Sequence, residues 1–141
     1  MTNKFSSIVR VKKQILDKVE AKLAKARNNV RTCELNIQTA KDRLSQTLLP
    51  KTGNISELRQ ELHLINIMKN DILLLNEKLN IAQKEVMHFT HQYKNANLEY
   101  EKMKYLEQEE FKKEIKKIKQ KEMMELDEFA TIKFSSQRTD I

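Results

Sequence analysis

The sequence predicts an all-α protein, a long antiparallel two-helix coiled-coil hairpin with a longer, overhanging C-terminal helix. Three observations predict it. The 141 residues include one proline and one glycine, Pro50 and Gly53, three positions apart. The long stretches on either side contain no helix breaker, although proline costs about 3 kcal/mol in a helix interior and glycine about 1. Along both stretches apolar residues recur at steps of three and four, the spacing of one helix face.

Helix one is expected over about 4–48. Its apolar stripe is Ile8, Val11, Ile15, Val19, Leu23, Ala26, Val30, Cys33, Ile37, Ala40, Leu44 and Leu48. The mean step is near 3.6, which keeps the stripe on one side of an almost straight helix. Cys33 lies on this stripe and reads as a small seam residue rather than a reactive thiol.

The turn is expected over 49–54. Pro50 pushes Leu49 out of helical geometry, and Gly53 can adopt positive φ. Asn54 and Glu57 stand at capping-box spacing, so helix two should begin at Ile55 or Ser56. From there it should run to about residue 130, with a loose tail over 131–141. Its stripe is Ile65, Met68, Ile72, Leu75, Leu79, Ala82, Val86, Phe89, Tyr93, Ala96, Tyr100 and Met103, a strict heptad. A fold at Lys51 and Thr52 sets Ile8 opposite about Ala96 and leaves helix two without a partner beyond Tyr100. Continuing the heptad past Met103 meets Glu107, Glu110, Glu114 and Lys117, which are poor seam residues. The whole chain, 1–141, reads as a single hairpin.

Composition narrows the function classes. Charged residues make up 33% of the chain and aromatics 6%, too polar for an ordinary globular core but suited to one narrow buried seam. The single cysteine can form no internal disulfide, and no signal-peptide pattern opens the chain. No apolar run approaches the ~20 residues of a membrane span. A cytoplasmic protein is therefore expected. His88 and His91 lie one turn apart and read as polar residues of the helix surface, so no metal site is expected. No phosphate loop or nucleophile motif is present, and neither catalytic activity nor a cofactor is expected.

Two features exceed what a hairpin requires. With Ile65 as heptad position a, Leu64 falls at g, while Ile67, Leu74 and Ile81 fall at three successive c positions that ordinarily face water. This line reads as a docking patch for another protein, or as a surface for dimerisation or for packing by another part of this chain. The second feature is charge. The net charge is +7, with Lys4, Arg10, Lys12, Lys13, Lys18, Lys22, Lys25, Arg27 and Arg31 near the start and Lys112, Lys113, Lys116, Lys117, Lys119 and Lys121 in the overhang. Interspersed glutamates and the lack of an aromatic platform argue against nucleic acid and leave two readings, a partner protein with an acidic opening or a solvated charged face. A thinner apolar stripe continues through Phe111, Ile115, Ile118, Met123, Leu126 and Phe129, which a lone helix cannot bury.

Glu125, Leu126, Asp127, Glu128, Phe129 and Ala130, followed by Phe134, resemble the block that closes the FliJ family of flagellar type III export proteins: Leu or Met, Asp, Glu, Phe or Ile, then Ala. The basic-apolar opening from Lys4 and Phe5 to Lys13, the length and the unequal hairpin are similar too. The resemblance implies a non-enzymatic export component that resembles the rotary stalk of an F-type ATPase. It would couple a hexameric export ATPase to the cytoplasmic domain of the membrane export gate and handle export chaperones. Its place would be cytoplasmic, peripheral at the inner face of the membrane through its partners. On this reading Lys112, Lys113, Lys116, Lys117, Leu126, Asp127 and Phe129 would meet the ATPase ring. Leu64, Ile67, Leu74 and Ile81 are proposed on physical grounds for the gate. A stalk protein of a virulence-type secretion system and a self-associating structural coiled coil are the alternatives.

Overall fold

Two α-helices account for the architecture of the computed structural model, which describes residues 2–47 and 53–139: α1 (Ser6–Gln46) and α2 (Ile55–Thr139). They pack against each other with no strand among the described residues, so the expected all-α helical hairpin is the observed fold. Packing contacts group the chain into two compact units, Ile15–Asn97 and a second that combines Met1–Gln14 with Leu98–Ile141.

Local chemistry sets the helix starts. The Asn54 side-chain carbonyl accepts the Glu57 N–H at 2.8 Å, and the Asn54 backbone carbonyl accepts the Leu58 N–H at 3.3 Å. Asn54 is thus the N-cap, and α2 begins at Ile55 as the spacing predicted. Gly53 has φ 148°, a region that L side chains rarely adopt. A Cβ there would also strike the Glu57 carboxylate. Pro50 and the Leu49–Thr52 part of the expected turn lie outside the described residues. Asn54→Ala should cost about 1 kcal/mol, read as a lowered thermal midpoint by circular dichroism.

The start of α1 has a device that the periodicity did not reveal. Asn3 accepts the Phe5 N–H through its side-chain oxygen at 2.9 Å, and its own N–H donates to the Ser6 hydroxyl at 2.9 Å. Its carboxamide nitrogen then donates to the Glu107 carbonyl at 3.0 Å. One short side chain therefore caps α1 and ties it to α2. The helix opens at Ser6, two residues after the expected start, because Asn3 and Phe5 are used in this turn.

In the Ile15–Asn97 unit the buried residues of α1 are Leu16, Leu23, Ala26 and Ile37, and Ala82 of α2 is buried with them. Val19, Val30, Cys33, Ala40 and Leu44 are half-buried between them. Leu16 corrects the stripe read from sequence, because Ile15 is 42% exposed while Leu16 is 5% exposed. In the second unit Phe5, Val9 and Lys12 are half-buried, whereas Ile8 and Val11 are exposed. The seam positions of α1 therefore alternate steps of four and three from Phe5 onward, the same heptad that α2 follows. The apolar character of Ile8, Val11 and Ile15 suggested a straighter stripe. A heptad requires the polar Lys12 instead, whose stem can cover the seam while its charge reaches out.

The pairing register also departs from the expected one. Thr47, just past the end of α1, approaches Met68, with its hydroxyl 3.6 Å from the Met68 sulfur. Residues 53–60 at the start of α2 are all exposed. The expected fold at Lys51 and Thr52 assumed a tight, symmetric reversal. Eight residues separate Gln46 from Ile55, a length that reaches up to about 25 Å and permits an offset. In the other unit Lys12 pairs with Glu99 and Lys4 with Glu110, each at 3.8 Å. Partners on α2 thus lie roughly two to three helical turns later than expected. Half-burial accordingly continues past Tyr100 to Phe111 and Glu114. Polar contacts from Asn3 and Lys4 make Glu107 and Glu110 acceptable there.

The end of α2 differs from expectation as well. The helix continues through 131–139, where a tail was expected. No proline or glycine follows Ala130, and the Thr131 hydroxyl donates to the Asp127 carbonyl at 2.9 Å. The residues that follow cost at most about 0.7 kcal/mol each in a helix, too little to end one.

Candidate interaction surfaces

With few residues fully buried, the chemistry of this chain is carried by what it leaves exposed. The first surface lies on α2 in the Ile15–Asn97 unit. Leu64 and Ile67 are each 44% exposed, and Leu74 and Ile81 more so. Seven-residue spacing brings Ile67, Leu74 and Ile81 back to one side of the helix every ~10 Å. Leu64 lies one turn before Ile67. The four form a row rather than a cluster. At one end, Ile81 joins Lys84, Glu85, His88 and Phe89 around an open groove. His88 packs edge-on against Phe89, with ring centroids 5.3 Å apart, and its Nε2 is 3.1 Å from the Gln92 amide. His91 likewise contacts Asn95.

Sequence reading missed a neighbouring set. Ile55, Leu58 and Leu62 are exposed at the start of α2. Their three-and-four spacing puts them on the seam side, but α1 reaches only to about Met68. The signal that could have revealed them is the length of the connection, which allows α2 to start ahead of its partner.

The second surface is the distal part of α2. Every residue from Ile115 to Gln137 is exposed, a length of roughly 35 Å. Lys112, Ile115, Lys116, Lys119, Gln120 and Met123 line one open groove. Lys112 is ion-paired to Glu109 at 3.2 Å. Lys113 and Lys117 stand about 100° further round the helix. Leu126 and Phe129, one turn apart, continue the apolar stripe and are about two-thirds exposed. Asp127 falls on a different side from Phe129. The structure therefore groups Lys112 with Lys116, Lys113 with Lys117 and Leu126 with Phe129, but does not bring all seven predicted residues to one face.

Closer to the chain start, Tyr100 carries two ammonium groups over its ring, Lys13 at 5.4 Å and Lys104 at 5.7 Å. Such contacts hold lysine charge against an aromatic face.

Among the described residues, open grooves run along the helix faces. No cluster of three or more His, Cys, Asp or Glu side chains that could hold a metal occurs among the described residues. No described helix is long and apolar enough to cross a membrane.

A helical hairpin with exposed apolar rows and a long charged arm defines a class of protein that acts by contact: a coiled-coil component of an assembly. The chain belongs to the flagellar FliJ protein family, whose model matches residues 1–139. It is therefore a component of the flagellar protein-export apparatus, in a family of non-catalytic export components. No curated protein and no solved structure matches the chain.

Proposed function

We propose that this chain is a non-enzymatic, stalk-like coupler between the hexameric export ATPase and the cytoplasmic domain of the export gate, and that it also handles export chaperones. The observation that carries this reading is the exposed distal arm of α2. Lys116, Lys117, Lys119, Lys121 and the Leu126–Phe129 edge lie beyond Glu114, the last half-buried position among the described residues. A 35 Å helix with one apolar edge and a basic flank suits insertion into an opening lined by carboxylates. Lys112, Lys113, Lys116, Lys117, Leu126, Asp127 and Phe129 are assigned to the ATPase. Leu64, Ile67, Leu74 and Ile81 are assigned to the gate, on a surface distinct from the arm. Residence in the cytoplasm, peripheral at the inner face of the cell membrane through these partners, follows from the reading. The family match favours the flagellar system over a virulence-type one.

Lys116→Glu with Lys117→Glu tests the arm. Both side chains are exposed, so helicity by circular dichroism should be unchanged. Stimulation of the export ATPase should fall about tenfold, the effect of losing roughly 1.4 kcal/mol of binding at subsaturating concentration. Undiminished stimulation would refute the assignment.

A further inference from the structure

The lysines near the chain start belong to neither of the surfaces assigned above. Lys18, Lys22 and Lys25 follow one another at steps of four and three along α1, which gathers them within about 60° on one flank of the helix. All three are exposed. At three and four residues' separation they meet one another but no carboxylate, an arrangement that weakens a helix instead of supporting it. None of the three forms an ion pair among the described residues.

Across the seam, α2 supplies little compensation. Lys22, Lys25 and Asn29 line an open groove with Glu85 and Phe89, above the buried Ala26. Glu85 is the one carboxylate among these lining residues, and no ion pair joins it to either lysine. Viewed down α1, Ile15 falls between Lys22 and Ala26, and it is 42% exposed. All of these residues fall within the Ile15–Asn97 unit. The groove therefore has a basic wall, an apolar floor and too little negative charge. We infer that it docks an acidic amphipathic helix of a partner protein, laid along α1 and α2 as a third helix. Carboxylates at three-and-four spacing on such a helix repeat at the same interval as the lysines, which span about 10 Å. Its apolar edge covers Ile15, Ala26 and Phe89, in the manner of a helix seated in a groove. Each lysine then gains the opposite charge that its own helix withholds. Because these charges sit at a wet surface, the complex weakens with salt.

None of these residues is assigned to the ATPase or to the gate, and the test contains neither partner. The probe is a designed, fluorescently labelled peptide of about three heptads, long enough to populate a helix in isolation. Leucines form one edge, glutamates one flank and glutamines the other. Anisotropy with the full-length chain in roughly 50 mM salt, where screening is weak, should report binding that is lost at roughly 500 mM. Lys18→Glu with Lys22→Glu and Lys25→Glu should lower the affinity roughly thirtyfold or more, at unchanged helicity. That variant should instead bind the same probe with lysines in place of its glutamates. Ile15→Ser should weaken binding about fivefold, which a purely ionic contact would not show. Lys116→Glu with Lys117→Glu should change it less than about threefold, because those lysines lie on the distal arm. Absence of binding by the wild type would overturn the inference. So would undiminished binding by the triple variant, an equal loss in the Lys116 and Lys117 variant, or equal affinity for a disordered polyglutamate of the same length.

Discussion

Ile67→Asp combined with Leu74→Asp is expected to reduce binding of the export gate's cytoplasmic domain at least a hundredfold while leaving the thermal midpoint unchanged. Both side chains lie on the outward row of α2, 44% and 56% exposed. Neither occupies a seam position, so stability should stay within about 0.5 kcal/mol of wild type. Binding is affected differently. Each substitution removes an apolar anchor and forces a carboxylate to desolvate at the interface. Central interface anchors contribute about 2 kcal/mol or more apiece, and every 1.4 kcal/mol is tenfold in affinity. Leu73→Asp is the matched control, because Leu73 is similarly exposed but lies off the row. It should change gate binding less than threefold, an effect below about 0.7 kcal/mol. Equal losses for Leu73→Asp and the double variant would remove the row from the account.

The second large effect concerns stability and rests on two adjacent residues. Leu16→Ala should destabilise the hairpin by about 2–5 kcal/mol, the range for a buried leucine truncated in a packed seam. Ile15→Ala should cost less than about 1 kcal/mol, because that side chain remains largely in water. The difference corresponds to roughly 10 °C in the thermal midpoint, measured by circular dichroism at 222 nm. A larger loss from Ile15→Ala would restore the straight stripe through Ile8, Val11 and Ile15. Leu23→Ala provides a reference within the same unit, since Leu23 is as buried as Leu16.

That pair also shows how much of this molecule could be read before its structure. The heptad of α2 was legible because every seam position from Ile65 to Met103 is apolar. The cap at Asn54 was legible because its partner lies three residues away. The N-terminal seam of α1 was not, since Lys12 occupies a position that a hydrophobic pattern skips, while Ile8, Val11 and Ile15 offer a false continuation. The register was lost for a different reason. Proline and glycine mark where a chain can bend, but an eight-residue connection does not dictate which residues meet across the bend. Asn3 escaped notice because its decisive contact is with a backbone carbonyl more than a hundred positions away, and no spacing rule reaches that far.

The candidate surfaces divide in the same way. Leu64, Ile67, Leu74 and Ile81 were visible as apolar residues where the heptad calls for polar ones. The arm was visible through its lysines and its terminal block. Its extent was misjudged because a helix end was expected after Ala130, although nothing in 131–139 can break a helix. Ile55, Leu58 and Leu62 were hidden by the assumed register, which set them against α1.

The central claim is that one chain holds the export ATPase and the export gate at once, through separate surfaces. Its most direct test is size-exclusion chromatography of the full-length chain mixed with both purified partners. The account predicts one peak containing all three components. Ile67→Asp with Leu74→Asp should release only the gate domain, and Lys116→Glu with Lys117→Glu should release only the ATPase. Mutual displacement of the two partners, or loss of both from either variant, would contradict it.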